Sequence, residues 1–135
     1  MHKQNELTVL DVYFDGGTRH GSFVIIENGM MVKKMTYDMT GTPDSNQGEF
    51  TVLLRALRRI HADYQPEHTA IHLFGDNELL RQSVGNYVAG NWQGKQPDKE
   101  VLQYLRDRIR ERLEKFFAWS YKRVSRKMIE FILGH

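Results

Sequence analysis

Apolar positions recur along the chain with two different spacings, and each switch of spacing marks a new element. Leu7 to Phe14, LTVLDVYF, is β-branched and aromatic and runs into Gly16–Gly17, which predicts a strand followed by a tight turn. Ser22 to Glu27, SFVIIE, predicts a second strand. Asn28–Gly29 after it is a strong hairpin signal, because both residue types accept the positive φ of a type I′ turn. Met31 to Tyr37 then returns as a third strand, so the chain opens with an antiparallel meander. Thr40 to Gln47, rich in Gly, Pro, Asp, Ser and Asn, reads as a loop. There the spacing changes: Phe50, Leu53, Leu54, Leu57 and Ile60 share one helical face, with Glu49 in the first turn. Thr69 to Phe74, TAIHLF, predicts a fourth strand, and Asn77 can cap a short helix ending near Gly85 or Val88. Gly90 to Pro97 reads as a loop. Asp98 is placed to cap a long helix whose stripe is Val101, Leu102, Leu105, Ile109, Leu113 and Phe116. Trp119 to Val124 reads as a fifth strand, and Ser125 as the N-cap of a short last helix.

A meander followed by alternating helices and strands predicts an α/β fold, with a mixed five-stranded sheet and helices packed on it. The 135 residues suit one domain spanning 1–135, and no internal repeat or low-complexity segment divides them. The chain is 40% hydrophobic and 27% charged, as expected of a globular protein. It contains no Cys, which excludes disulfides, thiolate metal sites and cysteine nucleophiles. MHKQNELT lacks the apolar stretch of a signal peptide, and no apolar run has membrane-spanning length. The expectation is a cytoplasmic monomer without a membrane partner.

The net charge of +2 does not by itself imply nucleic acid, but its distribution is uneven. Residues 98–135 hold ten Lys or Arg against six Asp or Glu, and the first 97 residues hold nine against eleven. An acidic front with a basic back suits a metal-dependent enzyme that grips a polyanion, and a solvated helix face explains the same numbers. Candidate chemistry is carried by three acids at element ends: Asp15 in VYFDGG, Glu49 in SNQGEF and Asp76 in IHLFGDN. Each has an ordinary structural use, as a turn acid, a helix-start charge or a cap. Gathered at one sheet edge they would repel, and a divalent cation is the usual reason to gather them. An oxygen-only pocket suits Mg²⁺ or Mn²⁺ rather than Zn²⁺. Two such ions, about 3.5–4 Å apart, serve phosphodiester hydrolysis without a protein nucleophile.

These motifs, in this order and across nearly the whole chain, resemble the type 1 ribonuclease H family and its reverse-transcriptase-like relatives. YFDGGTR resembles the first-strand motif with its metal-binding Asp at Asp15. DSNQGEFTVLLRAL resembles the TNN-x-AE helix opening with its Glu at Glu49. LFGDNELLRQSVGN resembles the SDS motif with its second Asp at Asp76, and WSYKRVSR resembles the hVpR stretch on the fifth strand. The resemblance implies a ribonuclease-H-like sheet with helices on both faces. It also implies Mg²⁺- or Mn²⁺-dependent endonucleolytic cleavage of the RNA strand of an RNA–DNA hybrid by two ions, with Asp15, Glu49 and Asp76 catalytic. Asn46 matches the second Asn of the helix-opening motif. Gly16, Asn46, Asn77, Trp92 and Lys95 are the expected nucleic-acid contacts, Trp92 and Lys95 because GNWQGK stands where the family carries a basic, aromatic loop.

The chain departs from the family in two places. Only Thr18–Gly21 stands where the family has a Gly-Pro-Gly stretch. Counted from Arg126, the family's xxNxxAD places its Asn at Ile129 and its fourth carboxylate at Leu133, which binds no metal. Glu130 one turn earlier, His135 with the terminal carboxylate, or no residue at all are the alternatives for that ligand. The last alternative leaves a degenerate ribonuclease-H-like module that binds nucleic acid with weak or no cleavage. Another nuclease on the same scaffold is a third reading, against which Asp15 lacks the Asp-x-Glu of exonucleases. His61, His68 and His72 show no metal-ligand spacing, and the Arg106, Arg108, Arg110 and Arg112 run reads as a solvated face.

Overall fold

The computed structural model describes residues 6–134. Strands β1 (Thr8–Gly16), β2 (His20–Glu27) and β3 (Met30–Asp38) form the meander, and helix α1 (Ser45–Asp63) follows. Next come a 3-10 turn (Pro66–His68), β4 (Thr69–Gly75), α2 (Glu78–Val84) and a small hairpin of β5 (Asn86–Val88) and β6 (Asn91–Gln93). Helix α3 (Glu100–Leu113), β7 (Ala118–Arg123) and α4 (Arg126–Leu133) complete the described chain. The main sheet has the order β3-β2-β1-β4-β7, antiparallel through the meander and parallel from β1 to β4 and from β4 to β7. This is the mixed five-stranded sheet expected from the sequence.

Helix α1 is the crossover that makes β1 and β4 parallel. Its predicted stripe, Phe50, Leu53, Leu54, Leu57 and Ile60, is buried against Leu10, Val12 and Phe14 of β1 and Ile71 and Leu73 of β4. Helix α3 packs outside α1 through Leu102, Ile109 and Leu113. Val101, placed on that stripe by its spacing, is exposed. Helix α4 covers the other face, where Ile129 and Leu133 meet Val24 of β2 beside Tyr13. Both faces of the sheet are therefore covered along β2 from Gly21 to Ile25, which suits its nearly continuous apolar run, whereas the α4 face of β1 stays partly open at Val9, Asp11 and Tyr13.

Four local expectations are corrected. Helix α1 begins at Ser45, capped by Asp44 Oδ1, which accepts from the Gln47 amide at 2.8 Å. The last residues of the expected loop are thus helical, and Glu49 lies in the second turn, beyond the amide donors that favour an acid at a helix start. The expected Gly90–Pro97 loop begins as a strand, because Ala89 and Gly90 take positive φ and close a hairpin. Ala at the first turn position hid that hairpin, since it lacks the Asn-Gly signature that Asn28–Gly29 shows. Lys99, not Asp98, occupies the cap position of α3, with no side-chain cap bond.

Candidate functional site

The pairing register brings two of the three acids together. Thr8 to Tyr13 pair in parallel with Thr69 to Phe74 at a constant offset. Carrying that offset two residues further sets Asp15 level with Asp76, both at the carboxyl ends of neighbouring parallel strands. Such ends, next to a change of strand order, are where open α/β sheets place ligands.

Glu49 arrives from α1 through a backbone contact. A Cβ on Gly48 would lie 2.3 Å from the Gly17 carbonyl oxygen, and one on Gly16 would lie 2.4 Å from the Gly48 carbonyl oxygen. The end of β1 and the second turn of α1 therefore touch backbone to backbone, which any side chain would forbid. The glycines after Asp15, read from the sequence as a tight turn, also admit the backbone of α1. The Gly16 amide also donates to the Glu49 carboxylate.

One carboxylate oxygen from each of Asp15, Glu49 and Asp76 lies within 4.8 Å of the others. This is the group of potential metal ligands found among the described residues. Asp15 and Glu49 are buried at 6% and 4% exposure, and Asp76 is half-buried. Burial first, then a hydrogen bond and charge from Asp15 and the charge of Asp76, push the Glu49 carboxyl up to about 10. Glu49 Oε2 is shut off from solvent with no hydrogen-bond partner. An orphaned buried acceptor within an all-carboxylate group is costly alone and matches the donor set of a hard divalent cation. The residues present therefore fit Mg²⁺ or Mn²⁺.

Below the group, the Tyr121 hydroxyl of β7 is also closed from solvent and unpartnered. Burial, followed by the charges of Glu49 and Asp76, raises its pKa well above the ordinary phenol value. Above the group, Arg126 at the start of α4 donates from Nη1 to Asp15 Oδ1 and Oδ2, both at 2.9 Å, and to Asp76 Oδ2 at 3.3 Å. Burial opposes the charge of Arg126, but Asp15 and Asp76 more than compensate and hold its pKa above the ordinary arginine value. The three acids and Arg126 line a cleft of about 890 Å³ with Arg19, His20, Lys34 and Asn77. A cleft with an acidic floor and a basic rim can hold a cation and the anion that the cation binds.

The remaining expected site residues are spread more widely. Asn77 caps α2 by accepting from the Leu80 amide at 2.9 Å, and its side-chain amide donates to Asn46 Oδ1 at 3.0 Å. Lys95 lines a separate groove with Asn46 and Lys99. Trp92 stacks on Trp119 of edge strand β7, carries the Arg110 guanidinium over its ring, and donates to Glu114 at 2.5 Å. It covers a sheet edge. Glu130 accepts from Arg126 Nε at 3.2 Å and lies outside the three-acid group. Leu133 is buried at 1% exposure, and Lys34 donates to its carbonyl oxygen at 2.9 Å, closing the end of α4. His135 lies outside the described residues. His61 faces the Arg112 carbonyl and His72 faces Ser120, so neither offers a metal site.

Sequence reasoning passed over Arg126, Lys34 and Gly48. Arg126 stood in the hVpR stretch and served only to count positions. Gly48 had a visible signal, since a glycine inside a helical pattern points to close approach.

No family model and no curated protein matches the chain. Solved structures do. RNase H1 from the halophilic archaeon Halobacterium salinarum NRC-1 superposes with a TM-score of 0.74 at 26% identity, covering 90% of this chain and 89% of that one. The N-terminal RNase H domain of a Mycobacterium tuberculosis protein gives 0.74 at 15% identity, covering 92% and 87%. LC11-RNase H1, isolated from compost and solved in complex with an RNA/DNA hybrid, gives 0.72 at 19% identity, covering 88% and 87%. At their identities the last two speak for the fold alone. Sheet order, the crossover that sets Asp15 beside Asp76, and superposition over nine-tenths of the chain agree, and the chain has the ribonuclease-H-like fold.

Proposed function

We propose that the chain is a divalent-metal-dependent endoribonuclease that cleaves the RNA strand of RNA–DNA hybrids. The observation that carries this reading is the convergence of Asp15, Glu49 and Asp76 within 4.8 Å on a ribonuclease-H-like sheet. Asp15, Glu49 and Asp76 would hold Mg²⁺ or Mn²⁺, with two ions in the working site. A metal held there would supply Lewis acidity toward a phosphate and lower the pKa of a bound water.

The chain's own residues do the rest. Gly16 fixes the Glu49 carboxylate through its amide, and the Gly16–Gly48 contact keeps α1 from drifting off β1. Asn77 and Asn46 brace each other at the mouth, where α2 begins, and offer short polar groups to a nucleic-acid backbone. Lys95 extends that contact along the neighbouring groove, and Arg19 and Lys34 supply cationic groups in the lining of the acidic cleft. Trp92, stacked on Trp119, serves the protein first and presents only its outer edge to a ligand.

A second reading has a specific observation behind it. Leu133 replaces the family's fourth carboxylate, and Arg126 engages two of the remaining three acids. Both favour a nucleic-acid-binding module with weak or no cleavage. The experiment that decides is incubation of purified protein with an end-labelled RNA–DNA hybrid in Mg²⁺ or Mn²⁺, beside Asp15→Asn and Asp76→Asn. Metal-dependent cleavage lost in both variants is the expected result. Hybrid binding with steep salt dependence and no cleavage in any of the three proteins selects the second reading.

A further inference from the structure

Arg126 is the charged group that α4 brings to the acidic cleft. Its Nη1 lies 2.9 Å from both oxygens of Asp15 and 3.3 Å from Asp76 Oδ2. Its Nε lies 3.2 Å from Glu130 Oε1, one helical turn along. The exposures are graded: the Arg126 side chain is 55% exposed, Asp76 17% and Asp15 8%. The guanidinium therefore sits over the open mouth, with the carboxylates beneath it. It also bridges the two acids that end β1 and β4, which places a positive charge between them.

A guanidinium at these distances and a divalent cation cannot share the same oxygens. Their charges repel, and the carboxylate lone pairs facing Nη1 are those a cation would take. Glu130 provides a second seat for the same side chain. It holds Nε from the helix side, so Arg126 can leave Asp15 and Asp76 without losing every ionic partner. The fork is then free at the cleft mouth, and a planar guanidinium binds a phosphate with two parallel hydrogen bonds.

We propose that Arg126 is an exchangeable counter-ion, displaced from Asp15 and Asp76 by the incoming metal and handed, still held by Glu130, to a phosphate of the nucleic-acid backbone. The exchange couples the two ligands: metal frees the arginine, and phosphate keeps it from returning. It gives Glu130 a positioning role in place of metal ligation. The inference rests on the metal-dependent reading above.

Calorimetric titration of the metal-free protein with Mn²⁺, without nucleic acid, tests the first half. Arg126→Gln should bind Mn²⁺ roughly twofold to fivefold more tightly than wild type, the scale of losing one partly exposed ion pair. Filter binding to Mn²⁺-loaded wild type and Arg126→Gln, over a salt series, of an RNA–DNA hybrid whose RNA strand is 2′-O-methylated to resist cleavage tests the second. Arg126→Gln should weaken binding and flatten the salt slope by about one phosphate contact. Equal Mn²⁺ affinity in wild type and Arg126→Gln, or an unchanged salt slope, overturns the exchange and leaves the metal reading standing. Wild-type protein that takes up no Mn²⁺ sensitive to Asp15→Asn overturns both. Arg126 is half-exposed at the first position of α4, so both proteins can be checked for equal helical content before titration.

Discussion

Replacing Glu49 by glutamine keeps the side chain's shape and removes its titration. In the metal-free protein the Glu49 carboxyl is pushed up from 4.5 to about 10, chiefly by burial, then by Asp15 and Asp76. Between those two values the native state holds a proton that the unfolded chain has released. The native state thus binds more protons, and stability must fall as pH rises through that window, by about 1.4 kcal/mol for each pH unit. Glutamine carries no such penalty. Between about pH 5.5 and about pH 7.5 wild type should lose roughly 2–3 kcal/mol relative to Glu49→Gln. Urea denaturation of both proteins in a chelator, at constant ionic strength, measures the difference. A stability gap that stays constant across the two pH values refutes the reasoning, because it means that Glu49 does not retain a proton in the fold. Saturating Mg²⁺ should close most of the gap, since a bound cation holds the ionised carboxylate.

Two further substitutions test the architecture around the site. Gly48→Ala places a methyl 2.3 Å from the Gly17 carbonyl, with backbone on both sides and no flexible group to yield. The cost should be about 1–3 kcal/mol or more, outweighing the gain of about 1 kcal/mol in helix propensity, and thermal denaturation checks it. Leu133→Asp restores the family's acid by name but puts a carboxylate among Val24 and Ile129 at a buried position. It should destabilise by roughly 3 kcal/mol or more without raising cleavage, measured by denaturation and by hybrid hydrolysis in Mg²⁺. A variant that is both as stable as wild type and more active would show that position 133 faces the metal.

Much of the fold was legible because burial imposes period. Phe50 to Ile60 announced a helix with one dry face, and the apolar runs of β1 and β2 announced strands. The three acids were legible because each follows an apolar run, or precedes one, at an element end. What stayed hidden depends on contacts between distant positions. Nothing local to Gly48 says that Gly17 lies against it, and nothing in the hVpR stretch says that Arg126 turns back onto Asp15. The β5–β6 hairpin was missed for a local reason, an alanine at positive φ. Trp92 was read as a nucleic-acid contact, and its stack on Trp119 gives it a structural use that the local sequence did not announce.

The bond between Asp15 and Arg126 joins residues 111 positions apart, and Glu49 and Asp76 fall between them. No single hairpin or helix pair contains the cleft. Meander, crossover, central strand and last helix must all have docked before the charges meet. A nascent or partly unfolded chain would carry every reactive group and yet be inert. The cleft would be assembled in one cooperative step, with the complete fold as its precondition.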